Sequence, residues 1–315
     1  MNKNTTPALQ TEAFYSKSQA YISKGLRAKS QNELEEYQLW ASMALELLAK
    51  SSLSRIHPAL VADPTHYQSL FAACGVSVSP DIKTITAKTL FLRLSHISKS
   101  FDSRVKEFCE QLALRRNSEV HSGESPFSGM KADAWEKKYW HAIEVILSMQ
   151  KKDLDEWLGA EHSKAPKNIL QDAERAVQLA VETRISHKKE DFEKEHKSKK
   201  KRDELIEKSK SIRYWDYWKK FDYSVDGYEL NDCPSCSAKG ILGGLLWHEE
   251  ISDEYDEDDP YKEYVEKTYS AEEFLCPTCD LRLSGTRELA VTNLPEEFSE
   301  TEEREREFEP DYGND

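Results

Sequence analysis

Two groups of residues in this 315-residue chain have the types and spacing for chemistry. The first is the run Arg115-Arg116-Asn117-Ser118-Glu119-Val120-His121. Histidine titrates near neutrality, so it can take or give a proton at cellular pH. Arginine is always charged and presents a planar fork of donors that fits phosphate oxygens. Asn117 can orient either neighbour through its amide. Together these are groups for acting on a phosphodiester without a metal. The second group is Cys233-Pro234-Ser235-Cys236 with Cys276-Pro277-Thr278-Cys279. Two thiolates separated by two residues in a tight turn can face one ion, and two such pairs complete a tetrahedral four-cysteine site, expected to hold structural zinc, with an iron–sulfur or redox role as the alternative. A closed four-cysteine site has no open coordination position and is not expected to catalyse.

The elements that must position these groups follow from apolar periodicity and turn signals. Leu34, Tyr37, Met43, Ala44, Leu47 and Leu48 recur at helical spacing over 31–50. Further helices are expected from Pro64 to Ala73, from Ser79-Pro80-Asp81 onward, and over 102–121 with Asp102 as N-cap. Residues 123–129 read as a loop, and a fifth helix carries Trp135, Tyr139, Ile143 and Ile146 on towards Trp157. The expected fold class is mainly α: an N-terminal helical bundle, a long charged helical arm and a small C-terminal β ribbon. Its expected divisions are a flexible lead over 1–29 with a short helical piece around Phe14 to Leu26, the bundle over 30–160, the arm over 161–230, the ribbon with an acidic insertion loop at 253–259 over 231–294, and an acidic disordered tail over 295–315. Cys74 and Cys109 are expected as small core residues. The aromatic cluster from Tyr214 to Phe221 is expected mainly to pack the ribbon against the arm, with base stacking as the sharper reading.

Arg116, Asn117 and His121, followed by the helix stop Ser122-Gly123, resemble the motif of the HEPN superfamily. That motif is an arginine, a polar residue and a following histidine near a helix end. The stretch from Leu39 to Lys50 resembles the family's early helix, where an acidic residue often lies near the motif; Glu46 is the candidate. The resemblance covers roughly residues 30–150. It implies a helical bundle and a metal-independent endoribonuclease that cuts RNA by 2′-hydroxyl transesterification, usually with two protomers joining their motifs in a homodimer. Active members commonly serve in toxin or antiphage systems, an implication by analogy of fold. The two cysteine pairs, each followed by strand-like sequence over 240–247 and 281–285, resemble a zinc ribbon. The competing reading is a non-enzymatic helical scaffold with a zinc-ribbon adaptor, binding a partner protein or a nucleotide.

Charge bears on the partners. Residues 1–160 carry 20 Lys and Arg against 18 Asp and Glu, residues 161–230 carry 17 against 15, and residues 231–315 carry 7 against 25. The net charge of −14 therefore belongs to the C-terminal part and does not oppose RNA binding by the helical body. It makes direct RNA docking by the ribbon unfavourable and favours a regulatory protein contact through the acidic region. No stretch reaches the ~18 apolar residues of a membrane span. The polar N-terminus lacks a secretory h-region, so a cytoplasmic protein is expected. No P-loop, dinucleotide fingerprint or His-Glu-x-x-His sequence is present.

Overall fold

A computed structural model describes residues 7–76, 79–129, 131–252 and 261–306. Its helices in chain order are α1 (Thr11–Ser30), α2 (Leu34–Ile56), α3 (Tyr67–Ala73), α4 (Ala87–Ser95), α5 (Ser103–His121), α6 (Ala132–Met149), α7 (Leu154–Leu158), α8 (Lys164–Glu195), α9 (Lys199–Ser209) and α10 (Thr286–Leu289). The strands are β1 (Gly227–Asp232), β2 (Lys239–Ile251), β3 (Lys262–Leu275), β4 (Arg282–Ser284) and β5 (Glu297–Glu305). The chain is mainly α with a small C-terminal antiparallel sheet. It divides into two compact units, residues 1–176 and 177–315.

In the first unit α1 lies along α2. Phe14, Ser18, Ile22, Gly25 and Ala28 recur every three or four residues and are buried. A side chain at Gly25 would crowd Tyr37 and Trp40 at 3.3 Å, so glycine there allows close approach of the helices. The short helical piece expected around Phe14 to Leu26 in a flexible lead is thus part of a packed 20-residue helix from Thr11 to Ser30. Ser18 and Gly25 supply two of its five buried positions, which hides the stripe from a hydrophobicity reading. Around this pair, Leu45 and Leu48 of α2, Phe91 of α4, Leu112 of α5 and Tyr139 and Trp140 of α6 form one core. Each such fully buried side chain contributes about 1.5–3 kcal/mol relative to exposure.

Several expected boundaries move: the helix expected over 31–50 runs from Leu34 to Ile56, and the one expected from Pro64 begins at Tyr67. The helix after Ser79-Pro80-Asp81 starts only at Ala87, where Thr86 Oγ1 accepts from Thr89 N at 3.3 Å. The preceding residues are held extended by Asp63 N donating to Lys83 O and Ile85 N donating to Val61 O. The fifth helix stops at Met149, and α7 restarts with a capping box between Asp153 and Glu156. Cys109 is buried as expected, whereas Cys74, just past the end of α3, is exposed.

The second unit is built on an antiparallel sheet in the order β1-β2-β3-β4, with β5 pairing to the other end of β3. Much of the stretch expected as a linking arm belongs to this unit. Val181 and Phe192 of α8 are buried in its core with Val177 and Ile185 beside them, a stripe of four among heavily charged neighbours. Ser235 donates to the Ile185 carbonyl at 3.1 Å, and Lys239 N donates to Ser209 Oγ at 2.7 Å. Arg184 grips Glu288 with two bonds of 2.8 and 3.2 Å. The expected disordered tail is also corrected over Glu297–Glu305, which pairs with β3 from Ser270 to Lys262. Phe298 stacks on Tyr269 at 5.2 Å, and the cross-strand pairs Lys262–Glu303 and Arg304–Glu263 neutralise part of the acidity. The expected acidic loop over 253–259 and the last residues, 307–315, lie outside the described residues.

Candidate functional site

Helix α5 carries the arginine–histidine motif. Asp102 caps it by accepting from Val105 N at 2.9 Å, and Val105, Cys109 and Leu112 anchor one face in the core. At the other end Ser122 N donates to Ser118 O, so the helix persists through His121 before Gly123. Arg116 points to α2: its Nη1 donates to Glu46 Oε2 at 2.6 Å, and its Nε donates to Asn117 Oδ1 at 3.1 Å. Glu46 takes a second cation, Lys50, at 2.8 Å, and Lys50 also donates to Thr84 Oγ1 at 3.0 Å. Burial alone would raise the Glu46 carboxyl, but Lys50 and Arg116 outweigh it and hold the group below its ordinary range. The residue missed by sequence reasoning is Lys50, which its i,i+4 spacing from Glu46 could have revealed.

The structure therefore brings Glu46, Arg116 and Asn117 into one chain of contacts. It does not bring His121 into that chain. His121 is exposed at the last turn of α5, and among the described residues it has no hydrogen-bond or ion-pair partner. Five helical steps place it about 140° around the axis from Arg116, while Asn117, four residues before it, shares its face. Arg116 is held by Nε and Nη1, and its Nη2 makes no hydrogen bond among the described residues. A fixed, partly accessible guanidinium with donors to spare can bind an anion such as a phosphate.

The four cysteines converge in the second unit. The two knuckles repeat one geometry: Cys233 N donates to Ala238 O and Cys276 N to Leu281 O, both at 2.9 Å. In each, the residue after the second cysteine, Ser237 or Asp280, takes positive φ, 60° and 56°. Ser237 N then donates to Cys233 O at 3.0 Å, and Asp280 N to Cys276 O at 2.8 Å. All four sulfurs lie within 4.8 Å of one another, and the pairs Cys233–Cys279 and Cys236–Cys276 are 3.6 Å apart. Those separations exclude disulfides and bracket the ~3.8 Å edge of a tetrahedron with metal–sulfur bonds of ~2.3 Å. Hydrogen bonds shared among the sulfurs push Cys233 up and Cys276 down. This donor set fits a metal ion. Cys233, Cys236 and Cys276 are buried and Cys279 is half-buried.

No protein-family model, curated protein or solved structure matches this chain. Among the described residues no helix is long and apolar enough to cross a membrane.

Proposed function

We propose that the chain is a metal-independent endoribonuclease of HEPN type, with a structural Zn2+ held by Cys233, Cys236, Cys276 and Cys279. The observation that carries this reading is the clamp on Arg116. The acidic residue that the family resemblance singles out on the early helix, Glu46, fixes the arginine and leaves donors for a phosphoryl group. In the reaction the ribose 2′-oxygen bonds to the adjacent phosphorus as the P–O5′ bond breaks. One histidine accepts the 2′-hydroxyl proton, another group returns a proton to the 5′-oxygen, and Arg116 stabilises the charge on the phosphoryl oxygens.

His121 and Arg116 diverge on an unbroken helix, so one protomer offers an incomplete site. A homodimer that juxtaposes two α5 ends supplies two histidines, one as base and one as acid. Leu114 and Val120 of α5 are 66% and 52% exposed beside the motif, apolar surface suited to such a contact. The test is incubation of total RNA and tRNA with wild type, His121→Ala and Arg116→Ala without divalent ions. Cleavage by wild type alone supports the reading; equal cleavage by all three contradicts it.

The separation of His121 from the Glu46–Arg116–Asn117 chain favours a second reading, a scaffold whose ribbon is an adaptor for a protein partner. Partner capture that is lost with Cys276→Ser but kept with His121→Ala would select it. A cytoplasmic role in toxin or antiphage defence accords with the first reading and depends on it.

A further inference from the structure

The loop between α9 and β1 holds an aromatic cluster that is only partly core. Tyr214 is its buried base: it stacks on Tyr228 at 4.9 Å and meets Phe221 edge-on at 5.6 Å. The following backbone is pinned by Glu273, whose carboxylate accepts from Asp222 N and Tyr223 N at 2.9 and 3.1 Å. Arg282 also reaches the Lys220 carbonyl at 3.4 Å. With both ends fixed, Trp215 and Trp218 turn outward, 71% and 50% exposed. Two large indoles facing water on a braced loop contribute little to the core, so packing does not account for them.

Their surroundings select a ligand chemistry. Lys219 lies over the Trp218 ring and Lys220 over the Tyr217 ring, each at 5.5 Å. Asp216, the acid between the indoles, is paired with Arg213 at 3.3 Å. Residues 197–221 carry 10 Lys and Arg against 4 Asp and Glu, in a C-terminal half that is otherwise strongly acidic. Exposed aromatic faces interleaved with cations are the elements that bind unpaired bases and their phosphates.

We propose that Trp215 and Trp218 form a base-stacking platform for single-stranded RNA, with Lys219 and Lys220 on its phosphates. The site belongs to the second unit and acts in binding whether or not the Arg116 motif cuts. The 197–221 segment itself carries a balance of 10 − 4 = +6, against the acidity of the strands that follow it.

The test is anisotropy of a fluorescein-labelled oligouridylate with the full-length His121→Ala chain, which keeps the probe intact should the motif be active. Trp215→Ala with Trp218→Ala should weaken binding by about tenfold or more for each stacked base. Lys219→Glu with Lys220→Glu should weaken it and flatten the salt dependence, each lost phosphate contact lowering the slope by about 0.7. Circular dichroism should match the parent in both, because all four side chains are exposed. No binding by the parent at low salt, or equal binding by the tryptophan variant, overturns the proposal. So does tighter binding of an acidic peptide of matched charge. Cleavage lost in His121→Ala while binding persists would separate this site from the proposed active site.

Discussion

Glu46→Gln removes one negative charge from between two cations and nearly preserves shape. The Glu46, Lys50 and Arg116 side chains are only 14%, 11% and 18% exposed, so solvent screens the pairs weakly. Removing one partner of a buried ion pair costs about 3–5 kcal/mol. Partial access and the surviving amide oxygen reduce this to about 2–3 kcal/mol here. For a unit of this size that lowers Tm by about 5–10 °C. The pH dependence has a definite sign. Glu46 is held below its ordinary value of 4.5 in the folded state, so its charge stabilises fully above that value. That contribution fades as pH falls through the folded pKa, because protonated Glu46 resembles glutamine. Thermal melts followed by circular dichroism at neutral pH and in acid should show a wide gap between wild type and variant that closes in acid. A gap that stays constant with pH, or stays below about 0.5 kcal/mol at neutral pH, would refute the clamp.

Native mass spectrometry of the intact chain should show one Zn2+ bound, and Cys276→Ser should lose it. Because a structural ion of this kind contributes on the order of 10 kcal/mol, a chelator should melt the second unit, and an unchanged melt would refute a structural role. Phe298→Ala should cost about 3 kcal/mol by urea unfolding, since the ring is buried against Tyr269; no loss would mean that the last strand is unanchored. His121→Ala should leave stability within about 0.5 kcal/mol of wild type, since the side chain is exposed, so any loss of RNA cleavage would not be a loss of fold.

Local signals made some of this architecture legible. Asp102 at one end and Ser122-Gly123 at the other bounded α5, because caps act within a turn of the helix they close. The cysteine pairs were readable because chelation demands short spacing. The fold class followed from apolar residues recurring at helical spacing in α2, α5 and α6. Elements stabilised by tertiary contacts were harder to read. Helix α1 buries a serine and a glycine where a stripe would ordinarily be apolar. Strand β5, with five glutamates in nine residues, has little intrinsic strand preference and forms through Phe298 and cross-strand cations. In α8 the charged residues masked Val181 and Phe192, so the helix read as a solvated arm. This also changes how the units should be separated: a cut before residue 231 would strip cover from both side chains, whereas the boundary of the first unit lies at 176. In the motif itself, sequence spacing located Arg116 and His121 but could not decide whether the helix would loosen between them.

The ends of RNA cut by the purified wild-type chain without divalent ions distinguish transesterification at the Arg116–His121 motif from other cleavage. Transesterification predicts a 2′,3′-cyclic phosphate on one fragment and a 5′-hydroxyl on the other, with both absent for His121→Ala. Fragments ending in 3′-hydroxyl and 5′-phosphate, or cleavage that persists in His121→Ala, would rule out HEPN-type cleavage by this motif.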